Sequence, residues 1–144
     1  MNPDSLFQLA NTTALASWVV LLASPFASKL TDAISGYVIP LALSVVYTAL
    51  ILAFWSGAQG GFDTLDNVML LFTSREVALA GWVHYLAFDL FVGAWEARTA
   101  RRESIPFLLV VPCLVLTFLF GPIGLLAFHG LRAARAARRA VAAA

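Results

Sequence analysis

The apolar positions of the chain gather into four long runs, and this pattern predicts four membrane-spanning helices. The first run extends from Leu6 to Phe26 (6–26), with Asn11, Thr12 and Thr13 near its start, and it ends near Pro25 with Lys29 just beyond. The second, "AISGYVIPLALSVVYTALILAFW" (33–55), contains Pro40, whose missing N–H kinks or restarts a helix. "SGAQGG", Ser56 to Gly61, then breaks it. The third run covers Val77 to Trp95 (77–95). The fourth covers Ile105 to Phe128 (105–128) and carries Pro106, Pro112, Gly121, Pro122 and Gly124. Each is close to the roughly 20 residues that cross a hydrocarbon core of about 30 Å. Between the second and third, "FDTLDNVMLLF" (62–72) sets Phe62, Leu65, Met69 and Phe72 on one helical stripe, the pattern of a short helix lying at the interface.

Composition supports the membrane reading: 61% of residues are hydrophobic, only 12% are charged, and the mean hydropathy is +0.87. The predicted fold is an all-α integral membrane protein, a four-transmembrane-helix bundle with a short interfacial helix. In 144 residues (1–144) it forms a single membrane domain. Four spans place both termini on one side. On that arrangement the basic residues do not orient the bundle, because Lys29, Arg98, Arg101 and Arg102 oppose Arg75, Arg132, Arg135, Arg138 and Arg139. The tail "LRAARAARRAVAAA" (131–144) reads as a basic helix on anionic lipid and favours a cytoplasmic location for its side. So apolar a chain is expected to have no nucleic-acid partner. Its lone Cys113 reads as a small core residue with no intrachain disulfide. The start "MNPDSLFQL" lacks a basic n-region, so the first run is read as a span.

Candidate chemistry sits in "GWVHYLAFDLF", Gly81 to Phe91, within the third run. On a helix from Val77 to Trp95, His84 and Asp89 lie about 3 to 5 Å from the mid-point along the axis. Even lenient insertion scales charge about 2.5–3.5 kcal/mol for a central aspartate, so Asp89 must be neutral, paired or facing a polar cavity. His84 and Asp89 diverge by about 140° around the axis. Trp82, Tyr85 and Asp89 share a face that Gly93 and Glu96 continue towards the membrane boundary. A packing role remains beside the functional one, with Asp89 accepting from Asn11, Thr12, Thr13, Thr48 or Thr117. With two histidines and no histidine cluster, the expectation is no metal and no cofactor. In the fourth run, Pro112 frees the carbonyl of Leu108 and Pro122 frees that of Phe118, and each needs a partner or a cavity to line.

The stretches "FTSREVALAGWVHYLAFDLFVGAW", "IPFLLVVPCLVLTFLFGPIGLL" and "ANTTALASWVVLLASPF" resemble the abscisic-acid-deficient-4-like family of membrane proteins. Trp82, His84, Asp89, Leu90, Phe91, Gly121, Pro122 and Gly124 match its motifs. The resemblance implies a carotenoid substrate, and in plants the opening of a violaxanthin epoxide to the allene of neoxanthin. Such an isomerisation needs an acid for the epoxide oxygen and a base for a polyene proton, roles that suit Asp89 and neutral His84. Trp82, Tyr85, Phe88, Phe118, Gly121 and Pro122 are the expected substrate-binding residues. The expected function is thus acid–base isomerisation of a carotenoid. The alternatives are carotenoid cleavage to retinal-like apocarotenoids, a non-catalytic carotenoid-binding or scaffold role, and a small transporter. Expected partners are the lipid bilayer and either further copies of the chain or other carotenoid enzymes. The expected location is a bacterial inner (cytoplasmic) membrane.

Overall fold

The computed structural model describes residues 2–142 and contains seven α-helices and no strand among them. Helix α1, Pro3–Leu22, opens where the Asn2 side chain accepts the Asp4 N–H at 3.1 Å and Pro3 fills the first turn. Helices α2, Ser28–Ala33, and α3, Ile39–Phe54, are joined by a π turn, Ile34–Val38. That turn is how the helix accommodates Pro40: the Ile39 N–H reaches back five residues to the Ile34 carbonyl, so the axis adjusts without breaking. Ser28–Gly57 therefore forms one helical passage of 30 residues. The short α4, Leu65–Leu71, is capped by Thr64, which accepts the Asn67 N–H at 3.2 Å. It lies within the predicted 62–72 segment, with Phe62, Leu65, Met69 and Phe72 exposed.

Helix α5, Arg75–Arg102, is the spine of the bundle, and its 28 residues extend about 42 Å. Fully buried Val83, Leu90, Ala94 and Ala97 make its core-facing surface, and the alanines let neighbouring backbones approach closely. Polar ties fix the directions of its neighbours. Arg75 pairs with Asp4 at 2.5 Å, while Arg101 at the other end donates to Ser24 and to Asp32, so α1 runs parallel to α5 and α2 to α3 runs back between their ends. Ser35 donates to the Ser17 carbonyl at 2.9 Å and locks the π turn onto α1.

The predicted fourth span is corrected by the structure. Residues 105–128 are not one crossing helix but parts of two: α6, Phe107–Phe120, and α7, Pro122–Ala142. Gly121 between them has φ +50°, a left-handed backbone, and Pro122 cannot donate to continue α6. The chain doubles back there. Phe118 packs on Trp18 and its carbonyl faces Tyr85, yet Phe128 packs on Trp95, and Arg132 binds Glu103 just past the end of α5. At Gly124 the two arms are so close that a Cβ would collide with the Thr117 backbone. With 14 residues, α6 extends only about 21 Å, short of a crossing.

The outcome is three helical passages long and apolar enough to cross a membrane, with a helical hairpin where the fourth was expected. The expectation that both ends share a side falls with it, since α1 begins beside Arg75 and α7 finishes beside Glu103, at the Arg102 end. Residues 131–142 of the expected basic tail are helical and continue α7, while 143–144 lie outside the described residues.

Candidate functional site

The hairpin tip and the middle of α5 meet at Asp89. Asp89 lies fourteen positions beyond Arg75, so the carboxyl sits half-way along the spine, 9% exposed. Had Gly121 a Cβ, it would lie 2.6 Å from Asp89 Oδ1, which means the tip presses its bare backbone onto the carboxyl. Asp89 Oδ2 is buried and has no hydrogen-bond partner among the described residues. One turn earlier on the same face, the Tyr85 hydroxyl donates to the Phe118 carbonyl in a long hydrogen bond of 3.3 Å and also lies beside the Asp89 carboxyl. This carbonyl is the one that Pro122 frees, and Tyr85 is the partner it finds.

From Asp89 an aromatic ladder leads towards the Arg75 end. The Tyr85 and Trp82 rings are 5.2 Å apart, and Trp82 and Phe7 are 5.8 Å apart. The indole N–H of Trp82 donates to Asn11 at 2.8 Å, tying the ladder to α1. Trp82, still 41% exposed, lines a groove of about 350 Å³ between α1 and α5 together with Phe7, Ala78 and Leu79, with the Asp4–Arg75 ion pair also in its wall. Trp18 and Phe118 line a second, wholly apolar groove between α1 and α6. Long flat apolar molecules suit such aromatic surfaces, and through Tyr85 and Phe118 these residues connect to the buried Asp89 carboxyl.

The predicted site residues therefore divide. Asp89, Tyr85, Phe118, Gly121 and Pro122 come together around the hairpin tip, and Trp82 joins them only through the Tyr85 ring. His84 and Phe88 do not. The His84 ring stacks on Phe88 at 4.6 Å and meets Tyr47 of α3 at 5.6 Å, on an exposed flank of α5 away from Asp89. Phe88 lines a groove with Pro40, Leu41 and Phe91. Among the described residues no three His, Cys, Asp or Glu side chains converge as a metal site would need.

Glu96 is the residue the sequence placed at the boundary and the structure places inside. It is fully buried, accepts the Thr117 hydroxyl at 2.9 Å, and its Oε2 has no partner among the described residues. It lies two turns beyond Asp89 on the same face, so both carboxyls bear on the hairpin.

Motif and fold thus point the same way, and a family model described as ABA DEFICIENT 4-like matches residues 5–128. The chain belongs to the ABA DEFICIENT 4-like family. The match includes the three passages and the hairpin tip, with Asp89 and Gly121 among its residues, in a family associated in plants with neoxanthin synthesis. No curated protein and no solved structure matches the chain.

Proposed function

We propose that this member of the ABA DEFICIENT 4-like family is a membrane enzyme that isomerises a carotenoid by acid–base chemistry at Asp89. One observation carries the reading: a carboxyl with a free buried oxygen is held mid-way along the longest helix, between the hairpin tip and an aromatic ladder. A polyene lying along Phe7, Trp82 and Tyr85 brings its ring end to Asp89. In its neutral form Asp89 gives a proton to the epoxide oxygen as the carbon–oxygen bond opens, and the resulting carboxylate takes a proton from the neighbouring polyene carbon as the allene forms. Atoms balance, the acid is regenerated, and no redox step is needed. Because His84 faces α3, the two oxygens of one carboxylate serve as donor and acceptor, with Tyr85 tying the hairpin tip beside them. The membrane assigned to it is the inner membrane of a bacterium.

A carotenoid-binding role without turnover is the second reading, favoured by the separation of His84 from Asp89. Expression in hosts that accumulate different carotenoids, followed by chromatography of the pigments, decides between them. The enzyme reading predicts a new pigment of unchanged mass in at least one host with an epoxidised carotenoid. Pigment that co-purifies with the protein unaltered in every host supports the binding reading instead.

A further inference from the structure

The hairpin sorts the charges of the chain in a way a fourth span would not. Lys29 opens α2 at the Arg102 end, Arg98, Arg101 and Arg102 close α5 there, and α7 returns Arg132, Arg135, Arg138 and Arg139 to the same end. Eight of the nine basic residues therefore gather at one end, facing only two acids, Asp32 and Glu103. At the opposite end Arg75 stands among Asp4, Asp63, Asp66 and Glu76.

Some of these cations are already engaged. Arg101 holds Asp32, Arg132 grips both oxygens of Glu103, and Arg139 donates to the Glu103 carbonyl at 2.9 Å. On α7, Arg135 keeps a buried Nε with no partner among the described residues, as Arg98 of α5 does at Nη1. Arg135 lines a groove of about 640 Å³ between α7 and the turn from α5 to α6, together with Ile105, His129, Arg139 and the Arg132–Glu103 pair, whose carboxylate is already gripped by Arg132. One helical turn beyond the groove residue Ile105 come Leu108 and Leu109, both exposed, the former 83%. A guanidinium fork suits a phosphate, and an apolar surface beside it suits acyl chains.

We propose that the Arg102 end faces the cytoplasmic leaflet and that its α7 groove binds the phosphate of an anionic phospholipid headgroup, leaving the Arg75 end on the opposite side. Basic residues close to span ends fix orientation towards the cytoplasm, and each one near an anionic surface adds about 1 kcal/mol of attraction, roughly fivefold in affinity. The lipid, not free phosphate, is the proposed occupant because exposed Leu108 and Leu109 follow Ile105 of the groove within about one helical turn.

Two measurements test this on the full chain. For orientation, Gln59→Cys and Ala140→Cys are labelled with a membrane-impermeant maleimide on intact bacterial cells. Labelling of residue 59 alone, with residue 140 reacting only after the cells are opened, is expected; the reverse pattern, or equal labelling, overturns the orientation. For the lipid, protein purified from membranes containing phosphatidylglycerol and phosphatidylcholine is analysed by native mass spectrometry, beside a double variant carrying Arg135→Gln and Arg138→Gln. Both substitutions spare the Arg132 and Arg139 ties to Glu103. Wild type should retain phosphatidylglycerol preferentially, and millimolar inorganic phosphate should not displace it. The double variant should lose that preference by at least about fivefold. Equal retention of the two lipids by wild type, or displacement by phosphate, overturns the lipid site.

Discussion

Gly121 lies against Asp89 so closely that its missing side chain is part of the site. With φ +50° and a Cβ position 2.6 Å from Oδ1, alanine at residue 121 would be strained in backbone and crowded in space. Gly121→Ala should cost about 1–3 kcal/mol and push the hairpin tip off the carboxyl. A lower unfolding midpoint in detergent, together with reduced pigment conversion, is the expected result. An unchanged midpoint would mean the tip does not approach Asp89 as described.

Tyr85 holds the other side of the same contact. Tyr85→Phe removes the donor to the Phe118 carbonyl, a bond worth about 0.6 kcal/mol on average between membrane helices. Stability should barely move. Conversion should fall by at least about tenfold, because the hairpin tip loses its tie beside the carboxyl; equal turnover in the variant would reduce Tyr85 to packing.

His84 supplies the contrast. Its ring stacks between Phe88 and Tyr47 on the far flank of α5, so His84→Gln should leave conversion within about threefold of wild type, well short of the loss expected on removing a positioned acid or base. A loss on the order of 10²-fold in a kinetic assay would instead make it the base.

The hairpin is also tied at its open end, and this tie depends on pH. Arg132 beside Glu103 holds the Glu103 carboxyl below its ordinary value of 4.5, with smaller help from Arg139 and His129. A lowered folded-state pKa gives stability that is present above the unfolded value and lost as pH falls through the folded one. Wild type should therefore melt above Glu103→Gln at pH 7, and the two should converge in acid below the ordinary glutamate range. A gap between the melting curves that persists into strong acid would contradict the tie.

Much of this was legible in the residues. The three passages followed from run length and hydropathy, the adjustment at Pro40 from its missing donor, and the Trp82–Tyr85–Asp89 face from helical spacing. The freed Phe118 carbonyl was visible too, but its consequence was not. Hydropathy across residues 105–128 reads as continuous, and only the left-handed backbone at Gly121 turns a kink into a reversal. Once the fourth span became a hairpin, the undecided count of basic residues became lopsided. Glu96 escaped for a related reason: ending the third run at Trp95 puts it at the boundary, whereas α5 continues to Arg102 and the returning hairpin covers it.

The carboxyl of Asp89 is the centre of the proposed chemistry. Asp89→Asn keeps the shape and most of the hydrogen-bonding capacity of the side chain while removing its exchangeable carboxyl proton. Expressed in a host that supplies a convertible carotenoid, the variant should insert, purify and retain pigment as wild type does, and lose on the order of 10²–10⁴ in turnover. Near wild-type conversion by Asp89→Asn, measured as product pigment per protein, would contradict the assignment and leave Asp89 as a polar contact between helices.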